Sequence, residues 1–303
     1  MVPVQMPIMK PPLMVTHPLF RIHCAVFLFG LAGLFGKCIA AGPLVIVFGR
    51  TLFGAAALAV YARSVSGTHL AGFPGQTLGL FILQGILLAA HWVFFFWSIQ
   101  VSSVAVGLVT FSSFPLFVTF MEPVVFKEPL TRRDIITAGA VFAGICLVVP
   151  DMDLTNQTTF GALLGILSGL TFALLALVNR KNARVSDPVA VAFFQNAFAA
   201  LCLVLPLALV RPPAPAVSDL PALIFLGVVC TALSHTLFIS SLKQIRAQTA
   251  SVIAGLEPVY GIVLAFFILQ ETPAVTTLAG GGIIISATVA AGYSASPRKE
   301  TSP

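Results

Sequence analysis

Charge is what this sequence has least of. Only 9% of its 303 residues are Asp, Glu, Lys or Arg, while 58% are hydrophobic; a soluble domain carries about 25% charged residues. That shortage excludes an ordinary water-solvated globule, because so much apolar sequence could not be hidden in one core. The natural solvent for it is a bilayer. Cysteine is also sparse: Cys24, Cys38, Cys146, Cys202 and Cys230 all fall inside apolar runs. None shows CxxC or His/Cys metal spacing, which argues against a disulfide framework or a metal site and for plain packing. Catalytic sets are missing too. No Ser/His/Asp group and no paired carboxylates share a plausible pocket, so an enzyme is not expected and no cofactor is implied. "GILSGL", "AGAVFAG" and "GGG" at 280–282 lie in apolar runs without the strand–loop–Lys setting of a phosphate loop. The net charge of +6 does not point to nucleic acid, since the basic residues sit in short connections between apolar runs.

What is present is a series of apolar runs, each near the roughly 20 residues that a helix needs to cross hydrocarbon. The expected fold is an all-α integral membrane protein with ten transmembrane helices. The runs are 19–41, 43–62, 76–99, 102–122 and 133–149, then 160–179, 188–210, 219–241, 246–269 and 273–293. The connections between them are too short to house a soluble domain. Residues 1–18 and 294–303 read as cytoplasmic tails, the first Pro-rich and without the order of a signal peptide. Lys and Arg set the orientation. With the N-terminus inside, thirteen of them fall on the inner side and only Lys37, Arg50 and Arg211 fall outside. Both termini are therefore expected in the cytoplasm.

The halves 19–150 and 160–293 repeat one another. "SSFPLFVTFMEPVVFKEPLTRRDIITAGAVFAG" matches "AGLEPVYGIVLAFFILQETPAVTTLAGGGIIIS" at a shift of 143 residues, placing Pro115 on Pro258, Glu128 on Glu271 and Gly139 on Gly282. An odd number of spans per copy gives the copies opposite orientation. Inverted repeats place a binding site near the midplane and allow alternating access.

Particular residues sharpen this. "FGKCIAAGPLVIVFGRTLFGAAAL", "IQVSSVAVGLVTFSSFPLFVTFMEPVVFKEPLT" and "QIRAQTASVIAGLEPVYGIVLAFFILQETPA" resemble the EamA-type transporters of the drug/metabolite transporter superfamily over roughly 20–293. The resemblance implies ten helices around a central cavity moving small organic solutes, amino acids among them, often outward, across a bacterial-type inner membrane. It also implies that Pro115 and Pro258 are the central prolines, Glu128 and Glu271 the helix-end acids, and Arg50 the second-helix arginine. The second half has Gln195 in place of that arginine.

Glu257 is the leading site residue. A carboxylate near the centre of a span costs about 2.5–3.5 kcal/mol even on the lenient insertion scale, so it should face the protein interior. There it could take up a proton, bind a substrate ammonium, or hydrogen-bond backbone amides freed beside Pro258. The first two uses are functional and the third structural. Tyr260, three residues on, shares its helix face and makes a candidate polar wall with it. His91 and His235 occupy related depths in spans three and eight; each could titrate, line a pocket, or bond a neighbouring carbonyl. Trp92 could contribute an aromatic wall. Thr110 and Ser113 offer hydroxyls that could bond substrate or their own helix. Arg50 could clamp a carboxylate or snorkel to headgroups. Pro115, Pro258, Glu128 and Glu271 read as helix-break or gating elements.

The favoured expectation is a secondary carrier for small organic metabolites, amino acids or their relatives, exporting by alternating access with possible proton coupling through Glu257. Its expected partners are the solute, lipid and, where coupling holds, protons, and it is expected to work as a monomer or homodimer. An uncoupled facilitator or exchanger, or a non-transporting membrane scaffold, are the alternatives. A channel would need rings of like charge or a filter loop.

Overall fold

The computed structural model describes residues 17–68, 70, 73–127, 129–149, 151, 153–182, 187–242 and 253–294. Among the described residues all regular structure is helical. The helices are α1 (Pro18–Cys38), α2 (Pro43–Tyr61), α3 (Gly75–Val101), α4 (Val104–Phe111), α5 (Phe114–Phe126) and α6 (Arg132–Val148), followed by α7 (Gln157–Asn182), α8 (Pro188–Val210), α9 (Leu220–Gly227), α10 (Ser234–Leu242), α11 (Glu257–Leu269) and α12 (Val275–Ser294). A π-turn, Val228–Leu233, joins α9 to α10. Among the described residues seven helical stretches are long and apolar enough to cross a membrane, and two shorter apolar ones are Glu257–Leu269 and Val275–Ala290.

Local chemistry sets the ends. Pro18, Pro43 and Pro188 each open a helix, where the missing amide would have no partner anyway. The Ser103 hydroxyl accepts from the Val106 amide to cap α4. Thr131 and Asp134 close a capping box at α6. Large apolar side chains face outward, Val124, Ile136, Leu209 and Phe267 all 69% exposed or more, as lipid rather than water requires.

Spans four and nine are not continuous. Turns at Ser112–Ser113 and Gly255–Leu256 interrupt them directly before α5 and α11. Pro115 and Pro258 therefore do not break a helix from within: each takes the second position of a new one. The two helices are 13 residues long, and Lys127 and Gln270, 143 residues apart, close them with φ of 55° and 56°.

Packing follows the same correspondence. α2 lies on α8 and α6 on α12, while α3 packs on α7 much as α1 packs on α10; a two-fold relation between halves generates such pairs. Ile46, Leu88, Phe96, Leu108, Leu175 and Leu226, from both halves, meet in the largest core. Glycine sets the closest approach. A Cβ on Gly30 of α1 would lie 2.8 Å from the Glu257 carbonyl oxygen and 2.9 Å from the Gly261 amide nitrogen, so this crossing admits no larger residue.

Candidate functional site

The site is built around Arg50. It lies on α2, is 2% exposed, and does not snorkel to headgroups. Its Nε and Nη2 both donate to the Thr231 hydroxyl at 3.1 and 2.9 Å. Thr231 sits in the π-turn, and its own hydroxyl donates to the Leu226 carbonyl at 2.8 Å. π-turns frequently occur at functional positions; here the turn delivers the hydroxyl that receives the guanidinium. The Arg50 guanidinium carbon stands 3.7 Å from the Trp92 ring centroid and 5.4 Å from that of Phe96. A desolvated cation over an indole face is stabilised by roughly 2 kcal/mol.

Trp92 extends the cluster. Its ring is 5.9 Å from His235, which meets Phe29 edge-on at 5.5 Å. His91 lies in an aromatic nest, with Phe111 and Phe172 each 5.0 Å away. Its Nδ1 pairs with the Ser168 hydroxyl at 2.8 Å, and that hydroxyl donates to the His91 carbonyl at 3.0 Å. Glu257 opens α11 beside the interruption. Arg50 interacts electrostatically with Glu257, His91 and His235. A buried cation, two imidazoles and a wall of rings thus meet through Trp92, with the acid at the start of α11. Such a set can hold a carboxylate on the cation, an ammonium on the acid and an apolar body against the rings.

Other expected residues go elsewhere. The Tyr260 hydroxyl turns to α1 and pairs with His23 Nδ1 at 3.2 Å, so it does not join Glu257 in the expected wall. Thr110 donates to the Val106 carbonyl of its own helix at 2.6 Å. Ser113 is fully buried at the turn before α5, its hydroxyl without a partner among the described residues. Gln195 donates to Asn179 Oδ1 at 2.8 Å, as Gln84 does at 2.9 Å, tying α3, α7 and α8 together. The Glu271 carboxylate accepts from the Val104 and Ala105 amides at 3.1 and 3.2 Å, capping a helix of the other half. Glu128 lies outside the described residues.

Three residues were missed in the sequence. Gln84 was readable as an amide in an apolar run. Thr231 and Ser168 had no signal, since intramembrane hydroxyls usually bond their own helix.

The EamA-like transporter family matches the chain twice, at residues 19–149 and 159–293. The chain belongs to that family. An uncharacterized transporter of Archaeoglobus fulgidus is 26% identical over 88% of this chain and 92% of its own. S-adenosylmethionine uptake transporters of Rickettsia bellii and Rickettsia prowazekii are 25% and 26% identical over 70% of this chain and 72% and 71% of theirs. A crystal structure superposes with a TM-score of 0.67 over 94% of this chain and 99% of its own, at 17% identity, which shows a shared fold. This EamA-family chain is thus a multi-pass membrane protein of the transporter class.

Proposed function

We propose that this EamA-family protein is a secondary carrier for zwitterionic, amino-acid-type metabolites. It works by alternating access of two inverted five-helix halves in the cell's inner membrane, with both termini cytoplasmic. The observation that carries the reading is Arg50: a guanidinium buried between halves and held on Thr231 and Trp92. Burying a charge at this depth is costly, and a substrate carboxylate gives it a use. Glu257 receives the ammonium or a coupled proton, and His91, Trp92 and His235 form the wall. S-adenosylmethionine, named for the Rickettsia relatives, carries the same α-amino-acid group, and those relatives support uptake in place of the expected export. Glu271 acts as a gating contact, because it bridges the halves at one end of α4.

Counterflow in proteoliposomes with labelled amino acids, nucleobases and small amines tests this. Uptake is expected for zwitterions and not for nucleobases or simple amines. Selective uptake of simple amines would overturn the role of Arg50. An uncoupled exchanger is the second reading, and the test is drive by a pH gradient: Glu257→Gln should abolish the drive while exchange persists. Full gradient drive in that variant would remove the proton role.

A further inference from the structure

α1 buries one face along its whole length: Ile22 and Val26 pack on Ile253 near its start. Gly30 presses on α11, and Gly36 meets Phe96 of α3, at 3.1 Å from a Cβ placed there. Beside that buried face lies an open cleft of about 580 Å³ between α1, the π-turn with α10, and Tyr260 of α11. This is within the roughly 300–1,000 Å³ usual for small-molecule sites. The cleft runs along the seam of the two halves, since α1 belongs to the first and its other walls to the second.

The lining selects the occupant. Phe27, Leu28, Leu233 and Leu237 supply apolar walls, and Phe27 and Leu233 are 39% and 46% exposed. Water gains no hydrogen bonds on such walls, and in a bilayer the neighbouring molecules are acyl chains. At the edge nearest the helix start, where a span reaches headgroup level, stand Arg21 and His23. His23 is anchored to Tyr260 across the seam. An apolar cleft with Arg21 and His23 at one edge is complementary to a lipid with an anionic phosphate headgroup.

We propose that this cleft is a binding site for one anionic phospholipid, its acyl chain along α1 and α10 and its headgroup at Arg21 and His23. Because the lipid lies in the seam, it binds the two halves together in one arrangement and is released when they rock apart. The inference stands apart from the identity of the transported solute.

Delipidated full-length protein, titrated with phosphatidylglycerol or with phosphatidylcholine of the same acyl chains, tests it by native mass spectrometry and thermal unfolding. Phosphatidylglycerol should bind roughly five-fold more tightly, the effect of one basic residue near a headgroup. Arg21→Gln should remove that preference while some chain binding persists. Leu233→Trp, at a half-exposed position where a larger ring does not disturb a core, should fill the cleft and abolish retention of both lipids at unchanged monodispersity. Equal affinity of the wild type for the two lipids, or undiminished binding to Leu233→Trp, would overturn the assignment. So would displacement of the lipid by a water-soluble zwitterion, which would give the cleft to the transported solute.

Discussion

Arg50 is held by shape as well as by charge. Its fork places two N–H groups on one hydroxyl and its plane on an indole, and an ammonium, a point charge without that plane, cannot reproduce the two together. Arg50→Lys should therefore lower the initial rate of counterflow at least about ten-fold, on the order of 1.4 kcal/mol, in protein of normal elution profile. A rate within two-fold of wild type would show that charge alone suffices. Thr231→Val is isosteric and leaves the buried guanidinium without its hydroxyl. It should lower thermal stability by about 1–3 kcal/mol, the penalty of a buried group left unsatisfied, measured as a fall in the unfolding midpoint. This pair also shows what the sequence made legible. Arg50 stood out because a cation in an apolar run has few explanations, although clamp and snorkel stayed open until its burial was seen. Thr231 was silent, because only the π-turn sets its hydroxyl off from the many that satisfy their own helix.

At the scale of the helix, glycine and the interruptions matter most. A Cβ on Gly30 would press on two backbone atoms of α11, which cannot rotate away. Gly30→Ala should destabilise by about 1–3 kcal/mol, whereas Gly139→Ala, whose Cβ meets open space, should leave the unfolding midpoint unchanged. Equal midpoints for both variants would contradict the close α1–α11 crossing. The 143-residue shift was visible in the letters, and it reappears in the matched lengths of α5 and α11 and in the φ of Lys127 and Gln270. The interruptions themselves were misplaced. Proline marks them, but Ser112–Ser113 and Gly255–Leu256 make the turn, and Glu257 lies at a helix start rather than in mid-helix. Tyr260 shares a helix face with Glu257 in the sequence, yet α1 offers it His23, a partner that only tertiary packing could reveal.

For the whole molecule, the corner between α3 and α4 is held from two sides. Lys37 donates to the Gln100 and Ser102 carbonyls at 3.3 and 2.9 Å, while Glu271 takes the first amides of α4. Each charge suits the helix end it meets, a cation on carbonyls and an anion on amides. Glu271→Gln removes the charge from bonds worth about 1.5–3 kcal/mol and should free this end of the seam. In protein whose five cysteines are replaced by alanine, Ser103→Cys should then react several-fold faster with a membrane-impermeant thiol reagent. An unchanged reaction rate would make Glu271 a cap without gating consequence. The family and the membrane class were legible at this scale from composition and motifs, because they rest on many residues at once. Which halves touch, and where, was not.

The central claim is that the transported solute reaches Arg50 and Trp92. The chain has two tryptophans, and Trp97, 40% exposed, can be changed to Phe so that emission reports Trp92 alone. The account predicts a saturable change in that emission when a transported zwitterion is added, absent in Arg50→Lys. A solute that is transported by the same Trp97→Phe protein while Trp92 emission stays constant would contradict it.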